Sequence, residues 1–192
     1  MLPSNIKKVY KKNTGERICQ GDVLRDILFS STYENIDVPV LIKYAVVMSQ
    51  DCDLKHDYKN RKEPEAKNND KFLPTVLICP AYVSEQFFKG EHINDWKMTC
   101  FSNEKEQKKI KDNNVFNRYH FLAEETKLSI PNLVIDFKHF YTIPKEIIGS
   151  QYEGSYLATV NELFRERLSQ RFSNHLSRFG LPELSGITNS ES

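Results

Sequence analysis

Ser49-Gln50-Asp51-Cys52-Asp53-Leu54 carries the most unusual local chemistry in the chain, a thiol set between two carboxylates. The thiolate, not the thiol, is the nucleophile and the metal ligand. Flanking carboxylates disfavour that form unless a protonated His, an Arg or a helix N-terminus compensates. On a reactive reading, Asp51, Cys52 and Asp53 are the candidate catalytic residues. The competing reading is structural: Asp51 caps a helix, Asp53 steadies its first turn and Cys52 packs inward.

Other groups offer thinner chemistry. Cys52-x-x-x-His56 has the i, i+4 spacing that places two ligands on one helical face. Two ligands are not a site, and zinc would need two more from Cys79, Cys100, His92 or His120. A Cys52–His120 nucleophilic pair is a further option, although His120 between Tyr119 and Phe121 reads as a satisfied structural imidazole. Asp136, inside Val134-Ile135-Asp136-Phe137, is expected to face solvent by alternation. With seven Gly in all, none falls in a P-loop or dinucleotide pattern, so no cofactor is called for. Arg167, Arg171 and Arg178 fall within about 40° of one another at helical spacing. They are candidate nucleic-acid-binding residues, or else cover the edge of an apolar face with their stems. Lys59, Arg61 and Lys62 invite the same two readings.

The elements that must position these residues can be read from pattern. Residues 1–17 are basic and polar, a loosely attached lead-in. Gly21-Asp22 opens a strand over Val23–Phe29, and Ser30–Asn35 reads as a turn-rich loop. Val38–Ser49 is the strongest strand signal, and its run Ala45-Val46-Val47-Met48 calls for burial on both faces. Pro39 belongs at the strand's first residue or at a bulge. Lys55–Lys71 has almost nothing apolar and reads as a mobile loop. Thr75–Tyr82, Arg118–Leu122, Leu133–Phe137 and Phe140–Ile143 read as strands. Ser84–Lys89 and Glu104–Asp112 read as short helices, the first capped by Ser84 and ended by Gly90. Thr159-x-x-Glu162 is a capping-box pattern. It opens a C-terminal amphipathic helix over 159–180 with the stripe Phe164, Leu168, Phe172, Leu176 and Phe179, stopped by Gly180 and Pro182. A polar tail follows over 185–192.

This pattern gives an α+β chain: a mostly antiparallel β core over 18–158 with surface helices and a terminal helix, as one domain over 1–192. A doubly wound parallel sheet is disfavoured because loops, not regular helices, separate the strands. Composition agrees. The 192 residues are 39% hydrophobic and 11% aromatic, with 27 Lys+Arg against 26 Asp+Glu and a net charge of +1. Such a chain is neither a disordered tail nor a polybasic arm. It holds no apolar run approaching the ~20 residues of a membrane span, and its start has no signal-peptide core. The four Cys have wide spacings and no Cys-x-x-Cys pair. They read as reduced thiols in a cytoplasmic protein.

Gly21-Asp22-Val23, then Lys43-Tyr44-Ala45-Val46-Val47-Met48-Ser49, then Val76-Leu77-Ile78-Cys79-Pro80 resemble the MazF/PemK-like toxins over about residues 20–82. The resemblance implies an SH3-like barrel and a toxin–antitoxin context with cleavage of single-stranded RNA. It further implies a dimer held by an antitoxin, an Arg before the second strand and a Ser/Thr just after the third. Here Lys43 stands at the Arg position, Tyr44 at the following Pro, and Ala81-Tyr82 at the Ser/Thr. Lys43 thus joins the candidate catalytic residues, as a point charge and not a bidentate fork.

Three function readings follow. The first is a nucleic-acid-associated protein related to those toxins, which binds or cleaves RNA. The second is a non-enzymatic module that binds a protein partner. The third is an enzyme or metal site centred on Asp51-Cys52-Asp53.

Overall fold

The computed structural model describes residues 8–13, 16–63, 65, 69–93, 96–114 and 117–177. The chain is α+β. Its antiparallel sheet curls into a half-barrel that carries five helices. The strands are β1 (Tyr10–Lys11), β2 (Asp22–Tyr33), β3 (Ile36–Val47), β4 (Thr75–Val83), β5 (Tyr119–Leu122), β6 (Leu133–Asp136), β7 (Tyr141–Pro144) and β8 (Tyr156–Val160). They run in the order β1-β8-β2-β3-β4-β6-β5, and β7, off this path, pairs with the first half of β4 on the side opposite β3. The helices are α1 (Asp51–Lys62), α2 (Ser84–Lys89), α3 (Glu104–Lys111), α4 (Lys145–Ser155) and α5 (Glu162–Leu176). No helix among the described residues is long and apolar enough to cross a membrane.

β3 organises the core as its sequence requires. Ala45, Val46 and Val47 are all fully buried. Val46 packs with Cys79, Ile135 and Phe137 on the face that α5 covers through Leu168 and Phe172. Ala45 and Val47 point the other way, toward Leu54 of α1 and Ile148 and Tyr152 of α4. One continuous apolar run therefore feeds two packed layers, by the period-two alternation of a strand.

Several expectations are corrected. Ser30–Asn35 is not a loop: β2 runs on to Tyr33, and a two-residue turn at Glu34 and Asn35 joins it to β3. Both turn residues have positive φ, 47° and 65°, as the tight hairpin turn matched to strand twist demands. Pro39 is neither a first residue nor at a bulge; it pairs with Ser30 within the ladder. It is tolerated because β3 reaches β4 only through Ala45–Val47, so the missing N–H faces an open edge.

Residues 55–62 are helix, not mobile loop. Their anchor is polar, which is why apolar counting missed it. Asp57 is fully buried, accepts from Arg61 Nε at 2.7 Å and from the Leu73 N–H at 2.9 Å, and faces Lys145 Nζ at 3.8 Å. The lead-in is tied down through β1, which pairs with β8. α4 and β8 were not anticipated. The terminal helix starts at Glu162 with Asn161 as its cap. Thr159 lies in β8 and donates instead to Asp22 Oδ1 at 2.6 Å. Of the apolar stripe, Leu168 and Phe172 are buried, Phe164 is partly buried and Leu176 is exposed. Phe179, Gly180, Pro182 and the tail lie outside the described residues.

Candidate functional site

The chemistry-bearing residues fall in three places, and the sequence motifs are divided among them. The first is the start of α1. β3 ends where the Met48 N–H donates to the Leu77 carbonyl at 2.8 Å, and the Leu77 N–H donates to Ser49 Oγ at 2.8 Å. The chain then turns into α1 with Gln50, not Asp51, as the cap residue. Asp51 and Asp53 sit in the first turn, where carboxylates complement the exposed N–H groups. Arg17 forms a two-pronged pair with Asp51, Nη1 to Oδ1 at 3.0 Å and Nη2 to Oδ2 at 2.9 Å. Burial works to raise the Asp51 carboxyl, and the Arg17 hydrogen bonds outweigh it, so its pKa falls below the ordinary value.

Cys52 does not pack inward. It is exposed and lines a cleft of about 370 Å³ between α1 and α5, with Gln20, Gln50, Ser169 and Phe172. Its Sγ lies 3.5 Å from both Gln50 Oε1 and Asp53 Oδ1. His56 is exposed on the same helix. No group of three or more His, Cys, Asp or Glu that could hold a metal occurs among the described residues. His120 does not line this cleft.

Arg167 and Arg171 of α5 form the second place. Arg171 is buried, and donates to the Asn113 carbonyl at 2.6 Å and the Tyr119 carbonyl at 2.7 Å. Arg167 donates to the same Asn113 carbonyl and to Asn114 Oδ1, both at 3.2 Å. Together they close the connection between α3 and β5. Beneath them His120 is buried with no hydrogen-bond partner on Nδ1. Burial, then the charges of Arg171 and Arg167, push its pKa down to about 3, so the ring is neutral. Arg178 lies outside the described residues.

The third place is a groove of about 270 Å³ where β3, β4 and β7 meet. Lys43, Tyr44, Pro80 and Ala81 line it, which are the positions marked by the toxin resemblance. Tyr82, His92 and Tyr141 complete its aromatic wall. Lys43 Nζ pairs with Asp26 Oδ1 at 2.7 Å at the exposed rim. Tyr141 is held edge-on by Phe29, their centroids 5.3 Å apart. His92 stands against Tyr82 and Phe87, at 4.8 and 4.6 Å between centroids. Both its ring nitrogens are enclosed without a hydrogen-bond partner, and burial pushes its pKa down to about 4.

Behind the groove runs a polar chain that sequence reasoning missed. Tyr82 Oη lies 3.1 Å from His139 Nδ1, and that nitrogen is 4.0 Å from Asp136 Oδ2. Asp136 is fully buried, contrary to the alternation argument. Arg118 grips it with two hydrogen bonds, Nε at 2.8 Å and Nη2 at 2.5 Å. Arg118 lies one residue before β5, and β5 pairs with β6 at Tyr119↔Asp136. Cross-strand pairing supplies the cation, a signal that only the register reveals.

No family model matches the chain, and no curated protein matches it either.

Proposed function

We propose that the chain is a nucleic-acid-associated protein on an SH3-like barrel related to the MazF/PemK-like toxins, and that the groove of Lys43, Tyr44, Tyr82 and Tyr141 binds single-stranded RNA. The carrying observation is convergence. Lys43-Tyr44 and Pro80-Ala81 are far apart in the chain, yet line one groove with Tyr82 and Tyr141. Rings beside a cation are what an unpaired strand needs, since each base has a face to stack and each phosphate a charge to meet. The reading is binding, not cleavage. Ala81 has no hydroxyl, and the His92 nitrogens are enclosed.

The test is fluorescence anisotropy of a labelled single-stranded RNA at low salt. Tyr141→Ala should weaken binding by about fivefold, the low end of the loss of one base stack. Lys43→Gln should weaken it less and reduce its salt dependence. An RNA that stays free at low salt overturns the reading, and cleavage of the probe would replace binding by catalysis.

A second reading is favoured by the arm formed by β2 and β3 beyond the barrel. Leu28 and Leu41 are cross-strand partners there, exposed at 53% and 63%. An adjacent exposed apolar pair of this kind suits a protein partner. Leu28→Gln, which lies outside the tyrosine groove, should abolish such a partner's binding without affecting RNA.

A further inference from the structure

The curl of the sheet brings its two ends together. β1 stands at one end of the strand order and β5 at the other. Tyr10 of β1 donates its Oη to the Ala123 carbonyl, just past β5, at 2.8 Å. Beside that bridge lies a cavity of about 460 Å³. Lys8, Lys11 and Lys12 line it from the β1 side and Lys127 from the other, with Glu125 the one carboxylate in its wall. A chain of net charge +1 thus gathers four ammonium groups around one opening.

Neither wall is a loose surface tail. On the β1 side, the Asn161 N–H donates to the Val9 carbonyl at 2.8 Å and Asn161 Nδ2 to the Lys8 carbonyl at 3.2 Å. On the other side, Glu125 and Ile130 exchange backbone hydrogen bonds at 2.9 and 3.2 Å, closing the turn that presents Lys127. Ile130 anchors that turn in the core. Lys11 is partly offset by its ion pair with Glu162, and Lys12 Nζ lies over the Tyr156 ring. Lys8, Lys12 and Lys127 are exposed and have no carboxylate partner among the ion pairs of the described residues.

We propose that this lysine-lined seam is a binding site for chained phosphate groups, supplied by the backbone of a single-stranded RNA. Like charges held around one cavity repel, and a polyanion relieves that repulsion while releasing its own counterions. One phosphate would meet one or two ammoniums, whereas a chain of them engages both walls. The seam has no stacking wall comparable to the tyrosine groove, so it holds backbone and reads no base. The RNA source rests on the function proposed above; the phosphate chemistry does not.

The experiment uses two ligands and the full chain. Inorganic tripolyphosphate is titrated by calorimetry, and a labelled single-stranded RNA by anisotropy. The triple variant Lys8→Gln/Lys12→Gln/Lys127→Gln should weaken both by at least about tenfold and lower the RNA salt slope by about two, at roughly 0.7 per phosphate contact. Glu125→Gln should tighten tripolyphosphate several-fold, a gain no unfolded variant can mimic. If neither variant changes tripolyphosphate binding, the site is overturned. If tripolyphosphate binding is lost in the triple variant while RNA affinity is untouched, the RNA source is overturned and free phosphate chains remain. If wild type binds tripolyphosphate at the seam and no RNA at all, the tyrosine-groove function and the RNA source both fail, and the seam stands as a site for free phosphate chains.

Discussion

Arg17 and Asp51 form a two-pronged ion pair across 34 positions, tying the segment before β2 to the first turn of α1. Both side chains are about three-quarters buried, at 22% and 28% exposure. The Gln20 N–H also reaches Asp51 Oδ1, at 3.3 Å. Asp51→Asn keeps the shape and removes the charge. It should cost about 1–2 kcal/mol, read from the urea midpoint. Because the Asp51 pKa is lowered, its contribution is present above the unfolded carboxyl value and fades as pH falls through the folded one. The cost of the substitution should therefore shrink in acid.

Asp22 works in the opposite sense. It is fully buried, and burial pushes its pKa up to about 6 although Thr159, the Cys19 N–H and Tyr152 all donate to it. The folded state binds this proton more tightly than the unfolded state. Its contribution is complete below the unfolded value near 4 and is lost as pH rises through about 6, up to ~3 kcal/mol in all. Asp22→Asn should flatten the stability profile between pH 4 and 7. An unchanged slope across that window would remove Asp22 as its source.

His120 supplies an acid limb. Its folded pKa, pushed down to about 3, lies below the unfolded value near 6.5. Its contribution is complete above pH 6.5 and is lost progressively as pH falls toward 3. His120→Phe removes the titration, and also the unpaired Nδ1. The variant should lose less stability between pH 6.5 and 4 than wild type, even if overpacking lowers both values by about 1 kcal/mol. Equal losses in chemical-denaturation series would refute this.

Arg171 and Arg167 of α5 should separate cleanly. Arg171→Ala removes the buried hydrogen bond to the Tyr119 carbonyl and opens a gap beside His120, costing about 2–4 kcal/mol. Arg167→Ala removes long, exposed hydrogen bonds and should cost under about 1 kcal/mol. Melting curves of the two variants decide it; equal shifts would mean that Arg171 is not structural.

Thiol labelling tests the acidic motif. Cys52 and Cys100 are exposed, Cys19 and Cys79 buried. A disulfide reagent should modify two thiols quickly in the native state and all four only after unfolding. Cys52→Ser should leave the melting temperature within the scatter of a surface change, about 0.5 kcal/mol. A large loss would restore the packing role that exposure argues against.

Local pattern was enough for much of the secondary structure. β3 and β4 announce themselves by continuous apolar runs, β6 by Leu133-Val134-Ile135, and α2 by Gly90, whose φ of 75° ends it. Those signals are short-range, so residue order carries them. Residues 55–62 read as loop in the sequence because their anchor is a buried carboxylate with Arg61 and Lys145, and hydropathy scores such a segment as solvated. Thr159 was read as a cap because its spacing to Glu162 fits a capping box; its hydroxyl belongs to the Asp22 network, 137 positions away.

The sites divide the same way. Sequence alone singles out Asp51-Cys52-Asp53 as residues with chemistry, and the toxin resemblance adds Lys43. Tertiary structure decided that Arg17 neutralises Asp51, that Cys52 faces a cleft, and that Arg171 is used inside the fold. It alone gathered Lys8, Lys11, Lys12 and Lys127 at the seam. Charge placement of that kind depends on which strands become neighbours when the sheet curls. No window of sequence contains that information, because the electrostatic partners meet only after the apolar layers on both faces of β3 have set the curvature.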